Sequence, residues 1–159
     1  MRTASKIPAF ILISFLVITL FSGETVHARG SVSVALMDLE STNLNHSLTN
    51  QVNQAVASET SRRTRTISNG QVLNALNRER LSKSSVLSNP DLTARVGRSV
   101  GAQKVLTGLA SRVNDIYIIT LKLTDVNNQS VRQVTRNHRG NFNQFLSTSV
   151  RDAVNELLK

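Results

Sequence analysis

The stretch VGRSVGAQKVLTGLASRV, residues 96–113, decides how we interpret the fold. It begins with the end of a helix, because Val96 and Val100 complete an apolar spacing of four residues. Gly101 follows at the place where a helix commonly ends with a left-handed residue. Residues 104–113 are rich in apolar and β-branched side chains and predict a strand. The stretch therefore indicates a helix that ends at a glycine and leads directly into a strand.

Two more strands and a long helix are predicted after this stretch. Residues 116–126 alternate between apolar and polar side chains, with Tyr117 on the apolar face. Asn127-Asn128 tolerates positive φ and predicts a tight hairpin turn before a strand at residues 130–139. Apolar residues then recur at helical spacing, which predicts an amphipathic terminal helix. These residues are Phe142, Phe145, Leu146, Val150, Ala153, Val154 and Leu157.

A strand covered on both sides is predicted at the start of the domain. Residues 31–39 carry apolar side chains at odd and even positions, which is typical of a strand between two layers. Ser41-Thr42-Asn43 supplies capping residues for a helix at residues 44–62. The two predicted faces of the strand carry Val32, Val34 and Leu36 on one side and Ala35, Met37 and Leu39 on the other.

The middle of the chain is predicted to hold a short strand and two helices. Residues 64–68 are β-prone and end at the breaker pair Asn69-Gly70. The segments that follow are a helix at residues 72–80, a loop at residues 82–89 and a helix that Pro90 opens. The predicted order is β-α-β-α-α-β-β-β-α. We therefore expect an α/β (α+β) fold, with a mixed sheet, a three-stranded antiparallel meander and helices packed on the sheet.

This order resembles the domain shared by the curli secretion protein CsgG, the amino-terminal domain of TolB, and the LpoB-like activators of penicillin-binding proteins. The resemblance covers residues 32–158. Its most specific part is residues 96–113, where a helix ends in GA and TG marks the middle of the next strand. The strand that ends in LTDVNNQ is a second match. The resemblance implies a packing pattern and an envelope location, and it implies no catalytic residue.

The sequence also departs from these proteins. The curli protein and the activators are anchored by a lipidated cysteine, and this sequence contains no cysteine. We expect neither the membrane-spanning hairpins of the curli protein nor the propeller of TolB. The resemblance therefore implies a stand-alone envelope module, and it transfers neither a channel nor a named partner. We expect a non-enzymatic module that binds or assembles with another envelope protein.

The first 28 residues predict a secretory signal peptide. Arg2 and Lys6 give a positive start, and residues 7–21 form an apolar run shorter than the ~20 residues of a membrane-spanning helix. V-H-A at residues 26–28 is a small-x-small cleavage site. The alternative is an uncleaved membrane anchor. We expect residues 29–159 to form one exported domain, periplasmic or associated with the outer membrane, and not a lipoprotein.

Few residues suggest catalysis. Asp38 and Glu40 lie two apart on a predicted strand, where paired carboxylates can support acid–base chemistry, although charges in solvent at the end of a strand explain them better. His46 and His138 do not supply the three or four ligands of a zinc site. The glycine motif at residues 97–101 closes a helix, whereas a phosphate-binding loop opens one. We predict no catalytic, cofactor-binding or metal-binding residue.

The basic residues suggest an alternative class of partner. The chain holds 19 Lys+Arg and 10 Asp+Glu, a formal net charge of +9. Such a surface either keeps the protein soluble or binds a polyanion, here lipopolysaccharide, anionic lipid or nucleic acid. Aromatic residues make up 4% of the chain, which argues against base stacking on nucleic acid. The candidate binding residues are Arg62, Arg63, Arg65, Arg132, Arg136 and Arg139, and a third basic cluster holds Arg78, Arg80 and Lys83.

Overall fold

The computed structural model describes residues 32–159, which form a mixed six-stranded sheet with helices on both faces. The predicted signal peptide at residues 1–28 lies outside the described residues. No helix within residues 32–159 is long and apolar enough to cross a membrane. The strands are β1 (Ser33–Leu36), β2 (Glu40–Thr42), β3 (Arg65–Ile67), β4 (Lys104–Val113), β5 (Ile116–Asp125) and β6 (Val131–Arg139). The helices are α1 (His46–Ser61), α2 (Asn69–Glu79), α3 (Lys83–Ser88), α4 (Pro90–Ser99) and α5, a continuous helix made of Phe142–Gln144, Phe145–Val150 and Arg151–Leu157.

The strand order in the sheet is β3-β1-β4-β5-β6, and β2 pairs with the second half of β4. Strands β1, β2 and β3 run parallel to their neighbours, and β4, β5 and β6 form the predicted antiparallel meander. The fold class is confirmed. This order places β3 at one edge of the sheet and β6 at the other.

Two hydrophobic cores lie on opposite faces of the sheet. The first packs α1 and α5 against the meander, with Val52, Ile119 and Phe145 fully buried. The second packs α2, α3 and α4 against β1 and the first half of β4, with Val72 and Val96 fully buried. β1 contributes to both cores, as expected for a strand with two apolar faces.

The predicted first strand is interrupted, and this corrects two sequence-based assignments. The ladder stops at residues 37–39, where the N–H of Leu39 donates to Oδ1 of Asn53 on α1 at 2.9 Å. The interruption shifts the alternation by one, so Leu39 packs with Val34 instead of with Met37. Ser41 and Thr42, predicted as capping residues, belong to β2 instead, and the residue that caps α1 is Asn45.

The predicted loop at residues 82–89 is wrong, because this segment contains helix α3. Its start is capped by Ser82, whose Oγ accepts from the N–H of Ser85 at 3.2 Å. Val86 is its single buried residue, and the Thr93 hydroxyl of α4 donates to the Val86 carbonyl at 2.6 Å. One buried position gives no helical period in the sequence, so the periodicity could not reveal this helix.

Two turns differ from their predictions. The β-prone segment ends before Asn69-Gly70 as predicted, but α2 begins at Asn69 and not at residue 72, because Ser68 and Gln71 form a capping box there. In the β5–β6 hairpin the positive φ of 60° belongs to Gln129. Oδ1 of Asp125 accepts the N–H groups of the predicted Asn127-Asn128 pair at 2.9 and 3.2 Å, and these bonds fix the conformation of the turn.

The helix ends around the decisive stretch are confirmed. Val100 caps α4, and Gly101 follows with φ of 71°, the left-handed region predicted for it. All seven apolar residues of the predicted stripe in α5 lie in the first core or pack against it. Residues Phe145–Val150 form π-helical turns, which insert an extra residue per turn and keep Phe145 and Val150 on the buried side.

Candidate functional site

The predicted arginines lie at opposite edges of the sheet. Arg65 is in β3, and Arg62 and Arg63 lie between α1 and that strand. Arg132 and Arg136 are in β6, at the other edge. The sequence-based surface is therefore two separate surfaces, which we call the β3 edge (Arg62, Arg63, Arg65) and the β6 edge (Arg132, Arg136, Arg139).

The β3 edge carries more free positive charge. Arg62 caps α1 and pairs with Glu59 at 2.8 Å. Arg63 and Arg65 are exposed and form no ion pair within residues 32–159. A helix carboxyl terminus favours cations, which explains why arginines are tolerated together here.

The arginines of the β6 edge are held by α5 and by the β4–β5 turn. The cross-strand register puts Arg132 opposite Leu123 and Arg136 opposite Ile119, so both point to the face that α5 covers, as their spacing predicts. Arg132 donates to the main-chain carbonyl of Glu156 at 3.2 Å, and Arg136 pairs with the Glu156 carboxylate.

Arg139 points to the opposite face of the sheet. It pairs with Asp115 of the β4–β5 turn at 3.3 Å. The predicted trio of β6 arginines is therefore divided between two faces, because an odd and an even position of one strand cannot share a face. Arg136 and Arg139 each have a carboxylate partner, which reduces the local charge of the β6 edge.

The main chain of β6 offers a second kind of binding group. The N–H of Asp125 donates to the carbonyl of Ser130 at 2.9 Å, and the N–H of Gly140 donates to the carbonyl of Asp115 at 2.8 Å. Residues 125 and 130, and residues 115 and 140, are therefore hydrogen-bonded pairs of the β5–β6 ladder. Such pairs alternate along an antiparallel ladder. The even residues of β6 therefore bond to β5, and the odd residues direct their N–H and C=O groups away from the sheet.

Side chains cover part of this outward row. The guanidinium of Arg136 donates to the Thr135 carbonyl at 2.8 Å, and the hydroxyl of Ser149 on α5 donates to the Asn137 carbonyl at 3.4 Å. Both groups of Val131 and Gln133 and the N–H of Thr135 have no hydrogen-bond partner among residues 32–159. The first half of β6 is thus an open strand edge, and the second half is blunted.

Gln133 and Thr135 are not among the binding residues predicted from the sequence. Their side chains are unremarkable polar residues, and the groups that matter belong to the main chain. The signal that would have identified them is strand order, since the last strand of a meander lies at a sheet edge unless another strand covers it.

The third basic cluster lies near the helices of the second core. Arg80 ends α2 with a left-handed φ of 53°, and Lys83 begins α3. Arg78 lines a shallow groove with Gln71 and Asn74 of α2. This cluster belongs to neither of the two edges.

The candidate acid–base and metal residues are separated. Asp38 accepts from the side-chain amide of Asn69 at 2.5 Å and fixes the loop after β1 to the start of α2, while Glu40 lies in β2. His46 begins α1 beside Asn50, and His138 lies in β6. Within residues 32–159 no group of three His, Cys, Asp or Glu residues could hold a metal ion.

Comparison with known proteins found similarity at the level of structure. No family model and no curated protein sequence matches the chain. The LpoB C-terminal domain from Escherichia coli superposes with a TM-score of 0.53 at 18% identity, over 69% of this chain and 82% of that one. Lipoprotein GNA1162 from Neisseria meningitidis gives 0.58 at 13% identity, over 79% of this chain and 95% of that one. TolB from Acinetobacter baumannii gives 0.50 at 19% identity, over 81% of this chain and 28% of that one.

These neighbours confirm the predicted resemblance to LpoB and TolB as a likeness of fold. GNA1162 is itself a lipoprotein, so the comparison lends no support to the expectation that this protein is not one. The chain has the fold of the LpoB C-terminal domain, which it shares with GNA1162 and with part of TolB.

Proposed function

We propose that this protein is a non-enzymatic binding module of the cell envelope and that it holds another envelope protein through the open first half of β6. The observation that carries this proposal is the outward row of main-chain groups at Val131, Gln133 and Thr135. An extended segment of a partner can add to such an edge as a further strand, with main-chain hydrogen bonds supplying the affinity.

The arginines of the β6 edge support the proposal in a second way. Arg132 is exposed and lies beside Gln133, and Arg136 is held in position by Glu156. Positive charges next to an interface raise the rate of association with an acidic partner more than they raise its affinity. A carboxylate of the partner segment beside Arg132 would meet an unpaired charge, because Arg132 forms no ion pair within residues 32–159.

An envelope location is supported by the signal-peptide pattern of residues 1–28 and by the likeness to LpoB, TolB and a lipoprotein. We propose that the protein acts in the periplasm or at the outer membrane, without a reaction or a cofactor of its own.

A photo-crosslinking amino acid at Arg132 tests this function in living cells. Irradiation should produce one dominant adduct with another envelope protein, identified by mass spectrometry. The same amino acid at Leu73, which is 43% exposed on α2, serves as the control and should not give that adduct. Equal adducts from both positions, or none from Arg132, would contradict binding at the β6 edge.

A polyanion is the second candidate partner, and the β3 edge favours it. Arg63 and Arg65 are exposed without an ion pair among the described residues, as phosphate-binding side chains must be. Each neutralised phosphate adds about 0.7–0.9 to the slope of log affinity against log salt. Binding to lipopolysaccharide that falls steeply with salt, and that Arg63→Gln with Arg65→Gln abolishes, would favour this candidate.

A further inference from the structure

A cavity lies at the carboxyl ends of β1 and β3. These strands are parallel neighbours, and the chain leaves them towards opposite faces of the sheet. After β1 it runs by way of β2 to α1, which packs in the first core, and after β3 it enters α2, which packs in the second core. A crevice therefore opens between α1 and the start of α2. Open α/β sheets bind their ligands in crevices of this kind, where connections to neighbouring strands leave in opposite directions.

The cavity has the size of a small-molecule site. Its volume is about 330 Å³, near the lower end of the ~300–1,000 Å³ of ligand pockets. Buried apolar residues form part of its wall, namely Leu36, Met37 and Val56. Polar side chains of α1, of the loop after β1 and of the start of α2 form the rest. At ~30 Å³ for each water molecule, the volume corresponds to about ten waters and therefore to a ligand the size of a monosaccharide.

Asn53 of α1 contributes a hydrogen-bond donor to this lining. Its side-chain Oδ1 accepts the N–H of Leu39 at 2.9 Å. Because a main-chain N–H can only donate, this bond fixes the orientation of the amide and leaves its NH2 group on the other side. The NH2 group has no hydrogen-bond partner among residues 32–159. Asn53 is thus a donor held in place by the backbone.

Asp38 contributes an acceptor close to that donor. The side-chain amide of Asn69 donates to Oδ2 of Asp38 at 2.5 Å, and Oδ1 of Asn69 accepts the Asp38 N–H at 3.2 Å. These two bonds hold the carboxylate, whose Oδ1 has no hydrogen-bond partner in the described part of the chain. Asp38 and Leu39 are consecutive residues, so the Asp38 acceptor and the Asn53 donor are held at neighbouring points of the cavity wall.

We propose that this cavity binds a small neutral polyol, of the size of a monosaccharide, through Asp38 and Asn53. A hydroxyl group both donates and accepts, so neighbouring hydroxyls of one ligand can donate to Asp38 and accept from Asn53. A hydrogen bond to an ionised carboxylate is also stronger than one between neutral groups. The hydroxyl side chains of Ser58 and Thr66 line the same cavity and can bond to further hydroxyls of the ligand.

The charge of the lining argues against an ionic ligand. Within residues 32–159, Asp38 is the one charged side chain that lines the cavity. An anion would therefore meet a like charge with no cation in the wall to offset it. An ammonium group would satisfy Asp38, but it can only donate and would leave the NH2 group of Asn53 without an acceptor. A hydroxyl-bearing ligand satisfies both side chains.

Titration of the isotope-labelled protein with glucose, followed by proton–nitrogen correlation NMR, tests this inference. The signals of the Asp38 and Leu39 main-chain N–H groups and of the Asn53 NH2 group should shift and saturate. We expect a Kd of roughly 1–10 mM, because so small a ligand makes few contacts. Glucosamine and glucuronate carry the same ring with a positive and a negative charge. Glucuronate should bind more weakly than glucose.

Three variants separate the cavity from the rest of the surface. Ser58→Leu fills part of the cavity from an exposed position of α1, where leucine also favours the helix, and it should abolish the shifts. Ser47→Leu makes the same change on the same helix outside the cavity, and this matched control should bind like the unaltered protein. Asn53→Asp keeps the acceptor for Leu39 and removes the donor, so it should weaken binding about tenfold.

Three results would overturn the inference. The first is the absence of shifts at these groups at glucose concentrations far above the expected Kd. The second is glucose binding that Ser58→Leu leaves unchanged. The third is binding of glucosamine or glucuronate without binding of glucose, which would assign the cavity to an ionic ligand. The shifts are measured on this protein alone, so the result does not depend on the envelope partner proposed for β6.

Discussion

Gly97 of α4 lies against Val105 of β4 with no space for a side chain: a Cβ at Gly97 would lie 2.7 Å from Cγ2 of Val105. Val126 closes the same space from the end of β5. The glycine therefore sets how closely α4 approaches the sheet, and with it the position of the strand that follows.

Gly97→Ala is expected to destabilise the protein by about 1–3 kcal/mol, because the added methyl group must push α4 away from the sheet. The free energy of unfolding in urea measures this. Gly70→Ala is the control, since a Cβ there has its nearest neighbour at 4.0 Å. Equal stability of the Gly97 variant and the unaltered protein would show that α4 does not pack as closely as described.

Gly101→Val is expected to lose roughly 1–2 kcal/mol through backbone strain, because its φ is 71° and a β-branched residue disfavours that region. No atom lies within 4 Å of a Cβ at this position, so crowding does not contribute. Gly101→Asn should lose less, because asparagine tolerates the left-handed region. Similar losses for both variants, measured by urea unfolding, would contradict strain as the cause.

Phe145→Ala is expected to cost roughly 3–5 kcal/mol, because Phe145 of α5 is fully buried in the first core and its truncation leaves a cavity. It stacks on Tyr117 with ring centroids 5.4 Å apart. A typical domain has ~5–15 kcal/mol of total stability, so soluble expression should fall sharply. A melting temperature equal to that of the unaltered protein would show that α5 is not docked.

Arg136→Gln is expected to change the free energy of unfolding by less than about 1 kcal/mol, because ion pairs at the surface contribute little. The side chains of Arg136 and Glu156 are 40% and 46% exposed. Thermal unfolding at low and at high salt checks this. A loss several times larger would mean that the pair fixes α5 to β6 and is more than a surface contact.

Most of the fold could be predicted from the sequence where an element is long enough to show its period. The strands of the meander show several alternations of apolar and polar residues, and α5 shows several helical turns, so their apolar positions were assigned correctly. β2 and α3 were missed, because three and six residues show no period. The side of the sheet predicted for Leu39 was wrong for a different reason. The alternation of the strand is interrupted where the N–H of Leu39 donates to Oδ1 of Asn53.

The candidate site could be predicted only in part. The arginines are visible in the sequence, but their separation into two edges follows from strand order, which the sequence does not state. The open main-chain groups of Gln133 and Thr135 depend on the hydrogen-bonding phase of the β5–β6 ladder. That phase is a property of the register and has no counterpart in residue type.

The measurement that tests the central claim most directly is capture of the crosslinked envelope partner by the Gln133→Pro variant. Proline removes the outward N–H of this edge position and leaves the bonds between β5 and β6 in place. Gln133→Thr keeps the N–H and is the matched control, and circular dichroism establishes that both variants are folded. We predict that the unaltered protein and Gln133→Thr capture the partner at low and at moderate salt, and that Gln133→Pro captures it at neither. Full capture by Gln133→Pro would contradict the account.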